Sequence, residues 1–324
     1  MGAVARFLTV APRCAQIARR GEHLVEDRPV RASICIPIAS FALGGCLGAA
    51  GWDPREPLVA ETPVAPSGHT SIMATRRAGA ARWSADDLED LGGALIPEAT
   101  VYAIWWGEAS RFPADAMSGM DTFLSGLDGS RYLAVVDQYV RQPARAIFAG
   151  HLMETSPSPT HSPSSEEIVA KVCQVLADAR QTPSPTALYL VFTDGFPEPA
   201  DFCAWHDGGR CPDGKRIHVA YLPNMANAPQ CDPGDLFHCN SLSEPTRALA
   251  NVTAHETIEM LTDPDGTGWL DRSGDEIADK CNFRFGSCVA LGSTRWQLQK
   301  QWSNADRGCV QEKASASQGV AVAR

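Results

Sequence analysis

Two spacings of apolar residues run through this chain and divide it into strands and helices. Thr100-Val101-Tyr102-Ala103-Ile104-Trp105-Trp106-Gly107 is a near-continuous apolar run closed by glycine, which predicts a buried strand. Ala187 to Thr193 gives the clearest run of this kind, and Ile217 to Leu222 and Arg145 to Leu152 give two more. Between them the period lengthens. Met117, Met120, Phe123, Leu124 and Leu127 sit at helical spacing within 113–127. Ser164 or Ser165 caps a further helix to about Ala179, with Glu166 and Glu167 in its first turn. Tyr132 to Tyr139 fits either period. Alternating strands and helices predict an α/β domain, with α+β as the alternative, built on a mixed sheet.

One further helix is predicted downstream. Ser243-Glu244-Pro245 has the form of a start signal, a cap residue followed by an acid and an early proline. Leu249, Val252, Ile258 and Leu261 supply apolar positions among good helix formers. Asp263-Pro264-Asp265-Gly266 stops it, because the residue before proline leaves the helical region and glycine permits the turn. The region 195–243, dense in Cys, Pro, Gly and Asp, reads as a disulfide-stapled insertion before this helix.

Composition changes the picture mainly at the N-terminus. Arg28 and Arg31 precede an uncharged run from Ala32 to Ala50, and Leu43-Gly44-Gly45-Cys46 has the form of a lipoprotein signal-peptidase site. Residues 1–45 are therefore expected to be a signal peptide, with Cys46 lipidated as the only membrane anchor. Residues 46–92 read as tether and linker, 93–312 as the folded domain and 313–324 as a tail. Without residues 1–45 the chain keeps 22 Lys/Arg and 35 Asp/Glu, a net charge of −13. Such acidity speaks against nucleic acid as a partner, since phosphate binding needs basic patches.

Eight cysteines follow Cys46: Cys173, Cys203, Cys211, Cys231, Cys239, Cys281, Cys288 and Cys309. An even set in an exported chain predicts disulfides. Sequence proximity proposes Cys203–Cys211, Cys231–Cys239 and Cys281–Cys288, leaving Cys173–Cys309.

Within the downstream helix, His255-Glu256-Thr257-Ile258-Glu259 concentrates the chemistry. Residues four apart share a helix face, so His255 and Glu259 can reach one ion together. This is the spacing of the H-E-x-x-H metalloprotease helix, with glutamate as the second ligand and Glu256 in the general-base position. Carboxylates near a helix C-terminus oppose its dipole, and a cation would relieve that conflict. Sixteen residues lie between Glu259 and Glu276. Zinc sites of one large protease group take a third ligand, a glutamate, from such a downstream segment. Glu276 stands there, with Asp279 as the acid that orients the histidine. Asp263, Asp265 and Asp279 are alternative ligands. Zinc is the expected ion, and the oxygen-rich set also admits calcium. In a hydrolase of this kind the dication lowers the pKa of water and Glu256 accepts the proton, for attack on an amide or ester carbonyl. His218, Tyr221 and His238 are the available polar donors for the carbonyl oxygen. Three readings stay open: a catalytic metal, a structural metal, or a charge-assisted helix pair. His206 reads as a loop histidine and Trp269 as a core or turn anchor.

Ile104-Trp105-Trp106-Gly107, Phe192-Thr193, Phe202-Cys203 and the block from His255 to Asp279 resemble bacterial members of the phosphate-induced protein 1 (EXORDIUM-like) family, over about residues 98–310. The resemblance implies export and a shared fold. With the helix motif it leads to an expected zincin-like domain with disulfide-stapled loops. The expected function is metal-dependent hydrolysis of peptide or related amide bonds, in a peptide or cell-surface polymer. The alternative is a non-catalytic cell-surface binding or signalling protein with a structural metal.

Overall fold

The computed structural model describes residues 71–75, 86–197 and 202–314. The expected signal peptide, the lipidation expected at Cys46, most of the expected tether and all but the first residues of the expected tail lie outside them. At the centre is a mixed six-stranded sheet. Its strands are β1 (Ser71–Ala74), β3 (Glu98–Trp106), β4 (Arg145–Glu154), β5 (Ala187–Thr193), β6 (Phe202–Arg210) and β7 (Arg216–Leu222), in the order β1-β6-β7-β5-β3-β4. The strand β2 (Glu89–Asp90) belongs to a separate small ladder. The contacts of β4 with β3, β3 with β5 and β5 with β7 are parallel, whereas β6 runs antiparallel to both β7 and β1.

The apolar runs form these strands because the sheet is covered on both faces, as continuous hydrophobic strands require. Along β5, Leu188, Leu190 and Phe192 enter one core and Ala187, Tyr189 and Val191 the other. The second core is closed by helix α3 (Ser165–Asp178), through Ile168, Val172 and Leu176. Ser164 caps α3 with a full capping box, its hydroxyl accepting from Glu167 N while the Glu167 carboxylate accepts from Ser164 N. The first core is closed by α1 (Ala116–Leu127) and α4 (Glu244–Thr262). Tyr132 to Tyr139, ambiguous by period, forms a 3₁₀ turn at Leu133–Val136 that runs into the one-turn helix α2 (Asp137–Val140).

Helix α4 is the axis of that first core, and every residue from Ala248 to Thr262 is buried. Asp115 sits at its start and accepts from Ser243 N, Ser243 Oγ and Thr246 Oγ1, each at 2.6 Å. Beyond α4, the ladder of β8 (Trp269–Leu270) with β2 leads into the 3₁₀ turn Asp279–Cys281. Two hairpins, β9 (Cys288–Leu291) with β10 (Thr294–Gln297) and β11 (Gln301–Ser303) with β12 (Gly308–Val310), complete the cover. Trp269 is an anchor, as expected: it packs edge-on to Tyr139 and donates Nε1–H to the Tyr139 carbonyl.

Three expectations are corrected. The region 195–243 is not an insertion, since it contributes β6 and β7 to the main sheet. Residues 71–74, inside the segment read as tether, form the edge strand β1, too short to register as a period. The disulfides are Cys173–Cys211, Cys203–Cys231, Cys239–Cys288 and Cys281–Cys309, and none is a local pair. Cys203 lies at the start of β6 and Cys211 just past its end, and about 3.3 Å per residue holds them far beyond bonding reach. Each real bridge instead joins segments 28 to 49 residues apart that the fold brings together.

Candidate metal centre

Strand β6 delivers the residue that the sequence reading passed over. His206 lies in β6, 2% exposed, with its ring against the last turns of α4. Its Nδ1 is 3.0 Å from Glu256 Oε2 and 3.9 Å from Glu259 Oε2. Its Nε2 is 3.2 Å from the Asp263 carbonyl and 3.7 Å from Glu276 Oε1. His206 is therefore no loop histidine. Phe202-Cys203-Ala204-Trp205-His206, an uncharged run ended by Asp-Gly-Gly, carried a strand signal that the density of Gly, Cys and Pro around it obscured.

His255 and Glu259 share a face of α4 as their spacing predicts, with Nε2 and Oε2 3.0 Å apart. The downstream acid beside them is Asp279, whose Oδ1 lies 3.4 Å from His255 Nε2, while Glu276 faces His206 instead. The backbone explains the exchange. Glu259 Oε1 accepts from Ala278 N at 3.2 Å and from Asp279 N at 3.0 Å, so the start of the 3₁₀ turn is fastened to Glu259 itself. Gln299 holds the opposite side of the His255 ring, with its Nε2 3.0 Å from Nδ1.

Among the described residues two groups could hold an ion: His206, Glu256 and Glu259, all buried, and His255, Glu259 and Asp279, where the Asp279 side chain is 19% exposed. Glu259 belongs to both. Donors about 2.1 Å from an ion in tetrahedral arrangement lie about 3.4 Å from one another. The histidine-to-carboxylate separations of 3.0 to 3.9 Å bracket that spacing.

Electrostatics poses the same question. Glu256, Glu259 and Glu276 are buried together, and Glu256 Oε1 and Glu276 Oε1 have no hydrogen-bond partner. Buried polar atoms without partners are rare and costly, and a cation within reach of Glu256 would relieve that cost. Burial pushes the Glu259 carboxyl up to about 7, with Asp279 adding to the rise against the pull of His255. Burial and the neighbouring Glu259 hold Glu276 well above the usual carboxylate range. Burial opposes charge on His206, but Glu276, Glu256 and Glu259 overcome it and push the ring up to about 10. His255 is likewise raised, by Glu259 and Asp279 against burial. With no ion present, protons must do what a dication would do.

The remaining candidates stand outside the centre. Asp263 Oδ1 closes the turn after α4, accepting from Thr267 N and Gly268 N. Asp265 pairs with Arg216 and approaches His218, whose Nδ1 is 3.4 Å away. Tyr221 belongs to the opposite core, and His238 is an exposed partner of Asp235. A cleft of about 1030 Å³ between α3 and the β6–β7 hairpin is lined by Asp207, Arg216 and Asp265, but by no residue of either ion-holding group. Compared with family models and with curated proteins, the chain matches none.

Proposed function

We propose that this protein is an exported metalloprotein whose buried divalent cation locks α4 to β6 and to the segment ending at Asp279, and that it acts by binding at the cell surface rather than by hydrolysis. One observation carries the reading. His206, Glu256 and Glu259 are buried together within reach of one ion, and Glu256 Oε1 has no hydrogen-bond partner. A general base for polymer hydrolysis must meet its substrate, yet Glu256 is fully buried and bonded to His206. Nitrogen plus carboxylate donors suit zinc, with calcium as the harder alternative. The reading groups the chain with the phosphate-induced protein 1 family and treats α4 with its downstream acid as zincin-like. Four disulfides support an oxidising, extracytoplasmic location, with a lipid anchor at Cys46 as part of the proposal.

A second reading, metal-dependent hydrolysis of peptide or related amide bonds, is favoured by the partial exposure of Asp279, which brings the His255 group towards the surface. A bound dication would supply Lewis acidity there. Zinc content and cleavage of a peptide library, measured on wild type and Glu256→Gln, decide between the two. A wild type that carries metal and cleaves nothing is expected. Cleavage by wild type, lost in Glu256→Gln with metal retained, would establish the hydrolase. A metal-free wild type would refute both.

A further inference from the structure

The hydrogen bonds around the two histidines differ in a way that decides which ring can hold an ion. Gln299 Nε2 donates to the Ala278 carbonyl at 2.9 Å, and Gln299 Oε1 faces Phe283 N at 3.5 Å. Backbone groups therefore fix the orientation of this amide from both ends. Its second N–H points at His255 Nδ1, 3.0 Å away. That nitrogen accepts, so the proton of the neutral ring sits on Nε2, between Glu259 Oε2 at 3.0 Å and Asp279 Oδ1 at 3.4 Å. A nitrogen that carries a proton has no lone pair for a metal.

His206 has the opposite arrangement. Its Nε2 faces the Asp263 carbonyl at 3.2 Å, an acceptor only, which puts the proton there. In the neutral ring that ion binding requires, the bare Nδ1 then faces Glu256 Oε2 at 3.0 Å and Glu259 Oε2 at 3.9 Å. Metal-bound histidines commonly give their other ring N–H to a backbone carbonyl in this way. Glu256 Oε1 is completely buried and has no hydrogen-bond partner.

We infer that the ion is held by His206 Nδ1, Glu256 and Glu259, and that His255, Gln299 and Asp279 are positioning residues that orient Glu259 from behind. The inference rests on the metal reading above and sharpens it. Glu256 becomes a ligand, so it cannot serve as a general base, and the helix motif is used with its histidine facing away from the ion. One nitrogen and two carboxylates form a donor set for a divalent ion such as zinc or manganese.

The test uses the full chain, stripped with chelator and titrated with zinc chloride by calorimetry. His206→Asn and Glu256→Gln are expected to weaken zinc binding at least 100-fold. His255→Asn is expected to weaken it by about 10- to 100-fold, the range for residues that orient a ligand. Loss of binding in His255→Asn with retention in His206→Asn would overturn the inference while leaving the metal reading intact. A wild type that binds no zinc overturns both. Because a variant can misfold, the wild type itself supplies a second measurement, cadmium-113 coupling to nitrogen-15-labelled imidazole. Coupling to a ring Nδ1 whose Nε2 keeps its proton is expected, and coupling to an Nε2 would overturn the assignment.

Discussion

His206 Nδ1 lies 3.0 Å from Glu256 Oε2, although the two residues are 50 positions apart and on different elements. Strand β6 and helix α4 meet at this contact with nothing apolar between the two side chains. A seam of buried polar side chains thus replaces apolar packing between β6 and α4.

Removing one partner from such a seam leaves the others buried and uncompensated. His206→Leu is expected to cost about 3–5 kcal/mol of unfolding free energy, the usual penalty for breaking a buried charge pair. Urea unfolding of metal-free wild type and variant measures it. A cost below about 1 kcal/mol would mean that the contact does not organise the core.

The pH dependence of the metal-free protein has a definite sign. Glu259 is raised to about 7 from an unfolded value of 4.5, and His206 to about 10 from 6.5. In both cases the folded state binds more protons than the unfolded state between those values. Their contribution is fully present below the unfolded values and is lost as pH rises through about 7 and then about 10. Thermal unfolding in chelator should show stability falling from pH 5 towards pH 10. Saturating zinc should flatten the fall, since metal binding needs the deprotonated forms. A metal-free melting temperature that rises over this range would contradict the electrostatic description.

Much of the fold was legible because burial on both faces leaves a plain record. The run Ala187–Thr193 coincides with β5, and Thr100 to Trp106 lies within β3. The start and stop of α4 were legible from Ser243, Pro245 and the Asp-Pro-Asp-Gly turn. The helix pair His255 and Glu259 followed from spacing alone, because a helix fixes its own neighbours. What was not legible depends on distant contacts. His206 joins the site because β6 pairs antiparallel to β7 across the face of α4. Asp279 rather than Glu276 meets His255 because two backbone N–H groups bind Glu259 Oε1. The disulfides also depend on distant contacts, since each joins segments 28 to 49 residues apart, and Cys203 and Cys211 are held apart by the extended β6.

Gln299 offers a quieter test of the second layer. Gln299→Leu keeps the volume but removes the donor to His255 Nδ1 and to the Ala278 carbonyl. A loss of about 1–3 kcal/mol in stability is expected from leaving those acceptors unpaired. Unchanged stability in denaturant titration would show that the amide is not holding the ring.

The bridges can be read directly by non-reducing peptide mapping, which should recover Cys173–Cys211, Cys203–Cys231, Cys239–Cys288 and Cys281–Cys309. The double variant Cys173→Ala/Cys211→Ala is expected to lose about 2–5 kcal/mol, because it frees α3 from the β6–β7 hairpin. Recovery of Cys203–Cys211 instead would be incompatible with β6 as a continuous strand.

The acid and histidine cluster around α4 is proposed to hold a divalent cation. Elemental mass spectrometry of the full chain, purified without chelator and separated from loose metal by gel filtration, tests it most directly. The account predicts about one divalent ion per chain, removed by chelator and restored by added zinc. A folded wild type that carries no metal, and takes up none when zinc is supplied, would contradict it.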